Sequence, residues 1–373
     1  MANKSSNKNL HKASQAKNDE FYTQYGDIQK EIEAYLEYNP DVFRGMIVYC
    51  NCDDPFESNF FRYFVLNFKK LGLKQLITTS YKPSPVANTQ LSLFGDDKTL
   101  AKSKGRPKIN ANKFIINEVH DIDGDGEFNL KDVAKQLKEN KNNEWTPLEG
   151  DGDFRSDECV GLLKQSDIVV TNPPFSLFRE YVKQLFDYDK KFVIIGNKNS
   201  VTYKEIFPLI RDNKIWSGKT EWSGGLWFVT MDDNDVDKVI DGVNMKNVSS
   251  VWFTNLDHGR RHQPLPLMTM EENLKYSKHK EIKGKKAYDK YDNYDAIEVP
   301  FTDSIPSDYD GVMGVPITFL DKYNPDQFEI LGATESEGKG FSNGLWNEAS
   351  KVSQPLVGGE RVYKRIFIQH KRK

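Results

Sequence analysis

Up to about residue 18 the chain is polar and lysine-rich, and only beyond it does hydrophobic periodicity set in. Ile28, Ile32 and Tyr35 recur at helical spacing, so a helix is expected over Asp19 to Tyr38, entered through the aromatic turn Asp19-Glu20-Phe21-Tyr22-Thr23. The short apolar run Met46 to Tyr49 predicts a buried strand that ends in the loop Asn51 to Pro55. Asn59 to Leu71 carries Phe60, Phe64 and Phe68 on one helical face and is stopped by Gly72. Leu76 to Thr79 predicts a second strand and Lys113 to Asn117 a third, across a stretch from 83 to 112 that has no period and reads as a long exposed loop. A short helix is expected from Val133, another over Asp157 to Lys164, a strongly apolar strand at Ile168 to Thr171, a helix over Phe178 to Phe186 and a strand at Phe192 to Ile195. Strands that alternate with helices predict an α/β fold, a parallel sheet with helices on both faces. After Trp216 the texture changes to glycines, tryptophans and turns, with short strands such as Ser250 to Phe253.

At 373 residues the chain has room for one large domain or two ordinary ones, and 38% hydrophobic and 12% aromatic residues supply a core. No apolar run is long enough to span a bilayer, and Met1 to Asn18 has no secretory h-region, so no membrane role and a cytoplasmic location are expected. Cys50, Cys52 and Cys159 cannot build a disulfide framework, and Cys50-x-Cys52 has no second pair for structural zinc. The net charge of −3 is unevenly spread. Lys4, Lys8, His11, Lys12 and Lys17 form a basic arm, Lys275 to Lys290 is lysine-dense, and Arg260-Arg261 adds a further cluster. Phosphate contact needs a local basic face rather than a basic total, although each cluster taken singly also reads as solvated surface.

Asn172-Pro173-Pro174-Phe175 directly follows the apolar strand, where open α/β sheets bind ligands. An adenine exocyclic amine is a poor nucleophile because its lone pair is delocalised into the ring. An asparagine oxygen and a backbone carbonyl that accept its two hydrogens draw the nitrogen toward a tetrahedral, more reactive state. Two prolines stiffen the loop that presents them. Phe175 offers a face for stacking on a base taken out of the duplex, or for a cationic methyl donor. The alternative is a plain strand-ending turn. Upstream, Gly150-Asp151-Gly152-Asp153-Phe154 pairs a carboxylate with an aromatic, as a donor's adenine would require, though such strings are also ordinary turns. In the loop Asn51 to Pro55, either Asp53 or Asp54 is placed for a donor ammonium group or for capping a helix. Asp121, Asp123, Asp125, Glu127, Asn129 and Asp132 fall at positions 1, 3, 5, 7, 9 and 12 of a calcium-loop pattern with Gly126 at position 6. They predict a structural calcium site, against the alternative of an acidic surface turn.

Much of the chain resembles the EcoRI-type adenine-N6 DNA methyltransferases. The resemblance is carried by Asn7 to Ala13, Asp19 to Tyr25, Val48 to Pro55, Gly150 to Ser156, Ser166 to Phe178, Thr254 to Asp257, Tyr291 to Ile297 and Gly311 to Leu320. It implies a Rossmann-like class I methyltransferase sheet with an irregular C-terminal DNA-recognition region. S-adenosyl-L-methionine would be the methyl donor, double-stranded DNA the substrate and a cognate restriction endonuclease a possible partner. By position, Phe21, Tyr22 and Thr23 resemble the motif that lines the donor's methionine end. Asn51, Asp53 and Asp54 sit in the donor loop, Asp153 and Phe154 in the adenine-contacting motif, and Asn172, Pro173, Pro174 and Phe175 in the catalytic one. The donor loop departs from the family pattern in lacking glycine, and Thr78-Thr79-Ser80 offers no acid for a ribose. The domains expected are a flexible arm over 1–18, a catalytic domain over 19–215 with an insertion at 83–145, and a recognition region over 216–373. Lys8 and Lys12 of the arm, with Arg260, Arg261, His262, Lys283 and Lys285, are the candidate DNA contacts. Rival readings are a methyltransferase acting on protein glutamine or RNA, and a non-catalytic protein that occludes DNA sites.

Overall fold

The computed structural model describes residues 22–52, 58–81, 111–122, 124–126, 128–139, 142–230, 235–334, 341–342, 344–347, 350 and 352–371. The expected arm and most of the 83–112 loop lie outside the described residues. In chain order the elements are β1 (Tyr22–Thr23), α1 (Tyr25–Tyr38), β2 (Ile47–Cys50), α2 (Asn59–Leu66), α3 (Phe68–Leu71), β3 (Gln75–Thr79), β4 (Asn112–Ile116), α4 (Leu130–Glu139), β5 (Glu144–Pro147), α5 (Asp157–Gln165), β6 (Ile168–Thr171), α6 (Phe178–Asp187), β7 (Lys191–Asn197), α7 (Phe207–Arg211) and β8 (Trp216–Ser217). Then come β9 (Leu226–Val229), β10 (Lys238–Ile240), β11 (Val243–Val248), β12 (Ser250–Thr254), α8 (Met270–Tyr276), β13 (Ile297–Glu298), β14 (Met313–Pro316), β15 (Phe328–Ala333), β16 (Leu356–Val357), β17 (Glu360–Arg361) and β18 (Arg365–His370). None of the described helices is long and apolar enough to cross a membrane.

The chain forms two compact units, one of 1–198 with 223–256 and one of 199–222 with 257–373. In the first unit the large sheet runs β5-β4-β3-β2-β6-β7-β12. Its centre is parallel: β2 pairs with β3 on one side and β6 on the other, and β6 pairs with β7. The outer pairings β3–β4, β4–β5 and β7–β12 are antiparallel, so β4 and β12 run against the centre and the sheet is mostly, not entirely, parallel. Alternation of helix and strand fixes the sequence of elements but carries no signal for the direction of an edge strand.

Pleating divides the strands between two cores. Val48, Cys50, Leu76, Val170 and Val193 join Ile28, Ile32, Phe60, Phe61 and Phe64 of α1 and α2 in one cluster, with Val133 and Leu137 of α4. On the opposite face Phe178 of α6 lies 5.0 Å from Phe253 of β12. A second, smaller sheet, β1-β9-β11-β10, ties Thr23 to Phe228.

Two helix expectations change at their ends. α1 starts at Tyr25, because Tyr22 and Thr23 are drawn into pairing with β9. The helix expected over 59–71 breaks at Asn67, whose side-chain amide donates to the Tyr63 carbonyl at 2.9 Å and competes with the helical ladder. The N-termini of α2 and α5 are set by serines: Ser58 accepts from the Phe61 amide and Ser156 from the Cys159 amide. The second unit is built on the sheet β13-β14-β18-β15, over a cluster of Tyr291, Tyr294, Trp346 and Phe367.

Candidate active site

Strand order reverses at β2, which has β3 on one side and β6 on the other, so a crevice opens beyond the carboxyl ends of β2 and β6. The loops that leave these two strands are Asn51-Cys52 and Asn172 to Phe175, two of the segments singled out in the sequence. β6 is buried along its whole length, which fixes the take-off of its loop. Asn172 is half-buried, Pro173 is buried, and Phe175 opens a single 3-10 turn that leads into α6. Phe175 is packed against the main core along part of its surface, so only the remainder is available for stacking.

The loop after β2 is tied to both neighbours. The Thr171 hydroxyl, at the end of β6, donates to the Asn51 carbonyl, and the Tyr181 hydroxyl of α6 donates to Asn51 Oδ1. Asn51 is only 2% exposed, so its side chain serves the scaffold. Asp53, Asp54 and Phe21, and the side chain of Tyr22, lie outside the described residues. Thr23 is buried in β1, and its carbonyl accepts the Asn59 side-chain amide at 2.8 Å. The hydroxyls of Thr23 and of Thr78, on β3, are buried with no hydrogen-bond partner among the described residues. A buried polar group left so costs about 1–3 kcal/mol, which a polar ligand at the strand ends would recover. The residues present therefore fit a bound methyl donor.

Gly152 shows why the Gly-Asp-Gly-Asp string is more than a turn. Its φ is +80°, and a Cβ there would stand 1.9 Å from the carbonyl oxygen of Ser80, just beyond β3. Only glycine meets both demands, and the contact seats the Asp153-Phe154 segment against the strand end. Asp153 Oδ1 accepts from the Arg155 amide and Nε, both at 2.9 Å, and Oδ2 from the other end of the guanidinium at 2.6 Å. The Arg155 guanidinium beside it holds the Asp153 carboxyl below the usual carboxylate range, so it stays an ionised acceptor. Phe154 is 4% exposed and meets the Tyr181 ring edge-on at 5.0 Å. Sequence reasoning passed over Tyr181, Thr171 and Arg155. Tyr181 falls among the apolar positions of an amphipathic helix, where an aromatic reads as ordinary core.

The other expectations divide. Arg260, Arg261 and His262 form one turn of the second unit and are engaged by that unit's own groups. Arg260 bonds Asp321 at 3.0 Å and the Lys219 carbonyl at 2.7 Å. The Arg261 guanidinium lies 3.8 Å over the Trp216 ring, and its side chain is 7% exposed. The His262 imidazole bridges Asp326 and Asp257 at 3.0 and 2.9 Å, which raises its pKa above the ordinary histidine value, the Asp326 bond contributing most. The Arg261 guanidinium is thus already engaged by the face of Trp216 and by Asp257 within its own unit. Lys283 is exposed, Lys285 is exposed beside Asp289, and Lys8 and Lys12 lie outside the described residues.

Two carboxylates of the acidic loop brace it from within. Asp121 accepts the Gly124 and Gly126 amides at 2.7 and 2.8 Å. The buried Asp132 accepts those of Ile122 and Asn129, both at 2.9 Å, and Asn129 Oδ1 accepts that of Lys131. Asp125 is exposed, and Asp123 and Glu127 lie outside the described residues. Among the described residues no group of three or more His, Cys, Asp or Glu could hold a metal ion. Among the described residues, the segment with calcium-loop spacing is braced by Asp121 and Asp132 bonding backbone amides ahead of α4. Millimolar calcium is accordingly expected to leave the melting temperature unchanged in scanning calorimetry. A rise that Asp121→Ala removes would restore the calcium reading.

A family model described as adenine-specific methyltransferase EcoRI matches residues 9–371. The type II methyltransferase M.EcoRI of Escherichia coli is 42% identical over 382 residues, covering 100% of this chain and 99% of that protein. M.MpnI of Mycoplasma pneumoniae is 36% identical, covering 86% of this chain and 84% of its own. M.MgeORF184P of Mycoplasma genitalium is 33% identical, covering 96% and 98%. No solved structure matches the chain significantly. With the family model spanning nearly all of it, and with Asn172 to Phe175 standing at the β2/β6 switch point, the chain belongs to the EcoRI family of adenine-specific methyltransferases.

Proposed function

We propose that the protein methylates the exocyclic N6 amine of an adenine in double-stranded DNA, on a Rossmann-like class I methyltransferase sheet. The observation that carries this reading is the Asn172-Pro173-Pro174-Phe175 loop leaving a fully buried strand at the point where strand order reverses. S-adenosyl-L-methionine supplies the electrophilic methyl group when bound. Thr23, the Asn51-Cys52 loop and the Asp153-Phe154 segment are the parts of this chain that would hold it. Asn172 Oδ1 and the Pro173 carbonyl accept the two amine hydrogens and so concentrate the lone pair on the nitrogen. The target adenine is flipped out of the duplex to reach them, with the exposed part of Phe175 as its stacking surface. On the second unit Lys275, Lys280, Lys283 and Lys286 are each exposed and close in sequence, candidates for phosphate contact. The relatives named type II methyltransferases suggest a cognate endonuclease as partner.

Purified protein offered labelled donor with duplex DNA, RNA or protein is expected to label DNA alone, at N6 of adenine, with a rate that falls steeply as salt rises. Label in RNA or in protein glutamine would replace the substrate assignment. No label anywhere, with intact DNA binding, would favour site occlusion without catalysis.

A further inference from the structure

Cys52 has φ +64°, a left-handed conformation that non-glycine residues adopt at a cost, and it stands directly beyond the central strand β2. Such a residue persists only where its surroundings over-determine it. Here they do so through its neighbour. Asn51 is held at its carbonyl by the Thr171 hydroxyl and at its side chain by the Tyr181 hydroxyl. Thr171 directly precedes Asn172, and Tyr181 lies on α6, the helix that begins just after the Asn172 to Phe175 loop.

The same helix face also holds the second donor-contacting segment. The Tyr181 ring stands edge-on to Phe154 at 5.0 Å. One turn on, Gln184 Nε2 donates to the Phe154 carbonyl at 3.1 Å, and the adjacent Glu180 pairs with Arg155 at 3.2 Å. Tyr181 is fully buried, and burial pushes its phenol far above the ordinary tyrosine value, so it remains a hydrogen-bond donor throughout the working pH range.

We infer that Tyr181 is a positioning residue of the methyl-donor site. Its hydroxyl fixes Asn51 and through it the left-handed Cys52, while its ring seats Phe154. The helix that follows the catalytic loop thereby sets the geometry of both donor-contacting segments, and a loop without glycine keeps a shape that glycine would take unaided. The inference rests on the reading that those segments bind S-adenosylmethionine.

Tyr181→Phe keeps the ring and deletes the hydroxyl. Its Kd for S-adenosylmethionine by calorimetry, and its KM for that donor, are expected to rise about three- to tenfold. The kcat at saturating donor and the KM for DNA should stay within twofold, a split that general loosening of the fold would not produce. Adding Cys52→Gly to Tyr181→Phe should bring donor affinity back to within twofold of the parent. A Tyr181→Phe donor Kd within twofold of the parent would overturn the inference, and so would a loss that Cys52→Gly leaves untouched. Asp153→Ala separates the two levels of reading. If it weakens donor binding while Tyr181→Phe does not, only the role of Tyr181 falls. Should Asp153→Ala and Thr23→Val both leave donor binding unchanged, the donor site itself has been misplaced.

Discussion

Replacing Asn172 by alanine is expected to reduce methyl transfer by about 10²–10³-fold or more, the usual effect of removing one preorganised acceptor or donor at a reacting centre, while S-adenosylmethionine still binds within about twofold of the parent affinity. The separation follows from what holds the loop. β6 is buried from Ile168 to Thr171, Pro173 is buried, and the Leu177 amide returns to the Pro174 carbonyl at 3.0 Å. None of these depends on the Asn172 side chain, so its truncation leaves the backbone in place and the Pro173 carbonyl still presented. The groups assigned to the donor, Thr23, Asn51-Cys52 and Asp153-Phe154, belong to other segments. Single-turnover transfer to a DNA duplex would measure the first quantity and calorimetry the second. A rate within tenfold of the parent would remove Asn172 from the chemistry. A matching loss of donor affinity would place it in the donor pocket instead.

Elements built from one strong period were legible in the sequence. The central strands β2, β3, β6 and β7 are short apolar runs, and α5 and α6 carry clear helical spacing, which is enough to place the Asn172 to Phe175 loop at a strand end. What the sequence concealed was mostly set by distant partners. Tyr22 and Thr23 look like the entry to a helix until β9 pairs with them, and β9 lies about two hundred residues further on. Asp121 to Asp132 follows a ligand spacing, yet Asp121 and Asp132 turn to backbone amides, which spacing cannot distinguish from turning to a cation. Arg260, Arg261 and His262 read as a basic patch because Asp321, Asp326 and Trp216, which absorb them, come from other parts of the chain. Gly152 was visible as a glycine, but the carbonyl of Ser80 that makes it obligatory was not.

The same blindness to distant partners hides the interaction whose loss should cost the second unit most. Glu298 on β13 and Arg365 on β18 are 67 residues apart in sequence and meet in the interior, with side chains 8% and 9% exposed. Arg365 Nε approaches both carboxylate oxygens at 3.1 Å, the Tyr291 hydroxyl donates to Glu298 Oε2, and Arg365 donates further to the Tyr363 carbonyl at 3.0 Å. Every charge is matched, and Tyr291 is itself part of the core with Tyr294, Trp346 and Phe367. Arg365→Ala strands a carboxylate with only a phenol to satisfy it, so denaturant unfolding is expected to show a loss of about 3–5 kcal/mol. Arg365→Lys should recover only part of this, since a lysine cannot reproduce the two-pronged contact. The pair is not expected to be stabilising against an apolar replacement, because both ions were desolvated to form it. A Glu298→Leu, Arg365→Met double variant should therefore be much closer to the parent than Arg365→Ala alone, and a double-mutant cycle should give strong coupling. A loss below about 1 kcal/mol for Arg365→Ala would mean that water reaches Glu298 and that the pair behaves as a surface ion pair. A double variant as unstable as Arg365→Ala would show that packing around β18, rather than the unpaired charge, sets the cost.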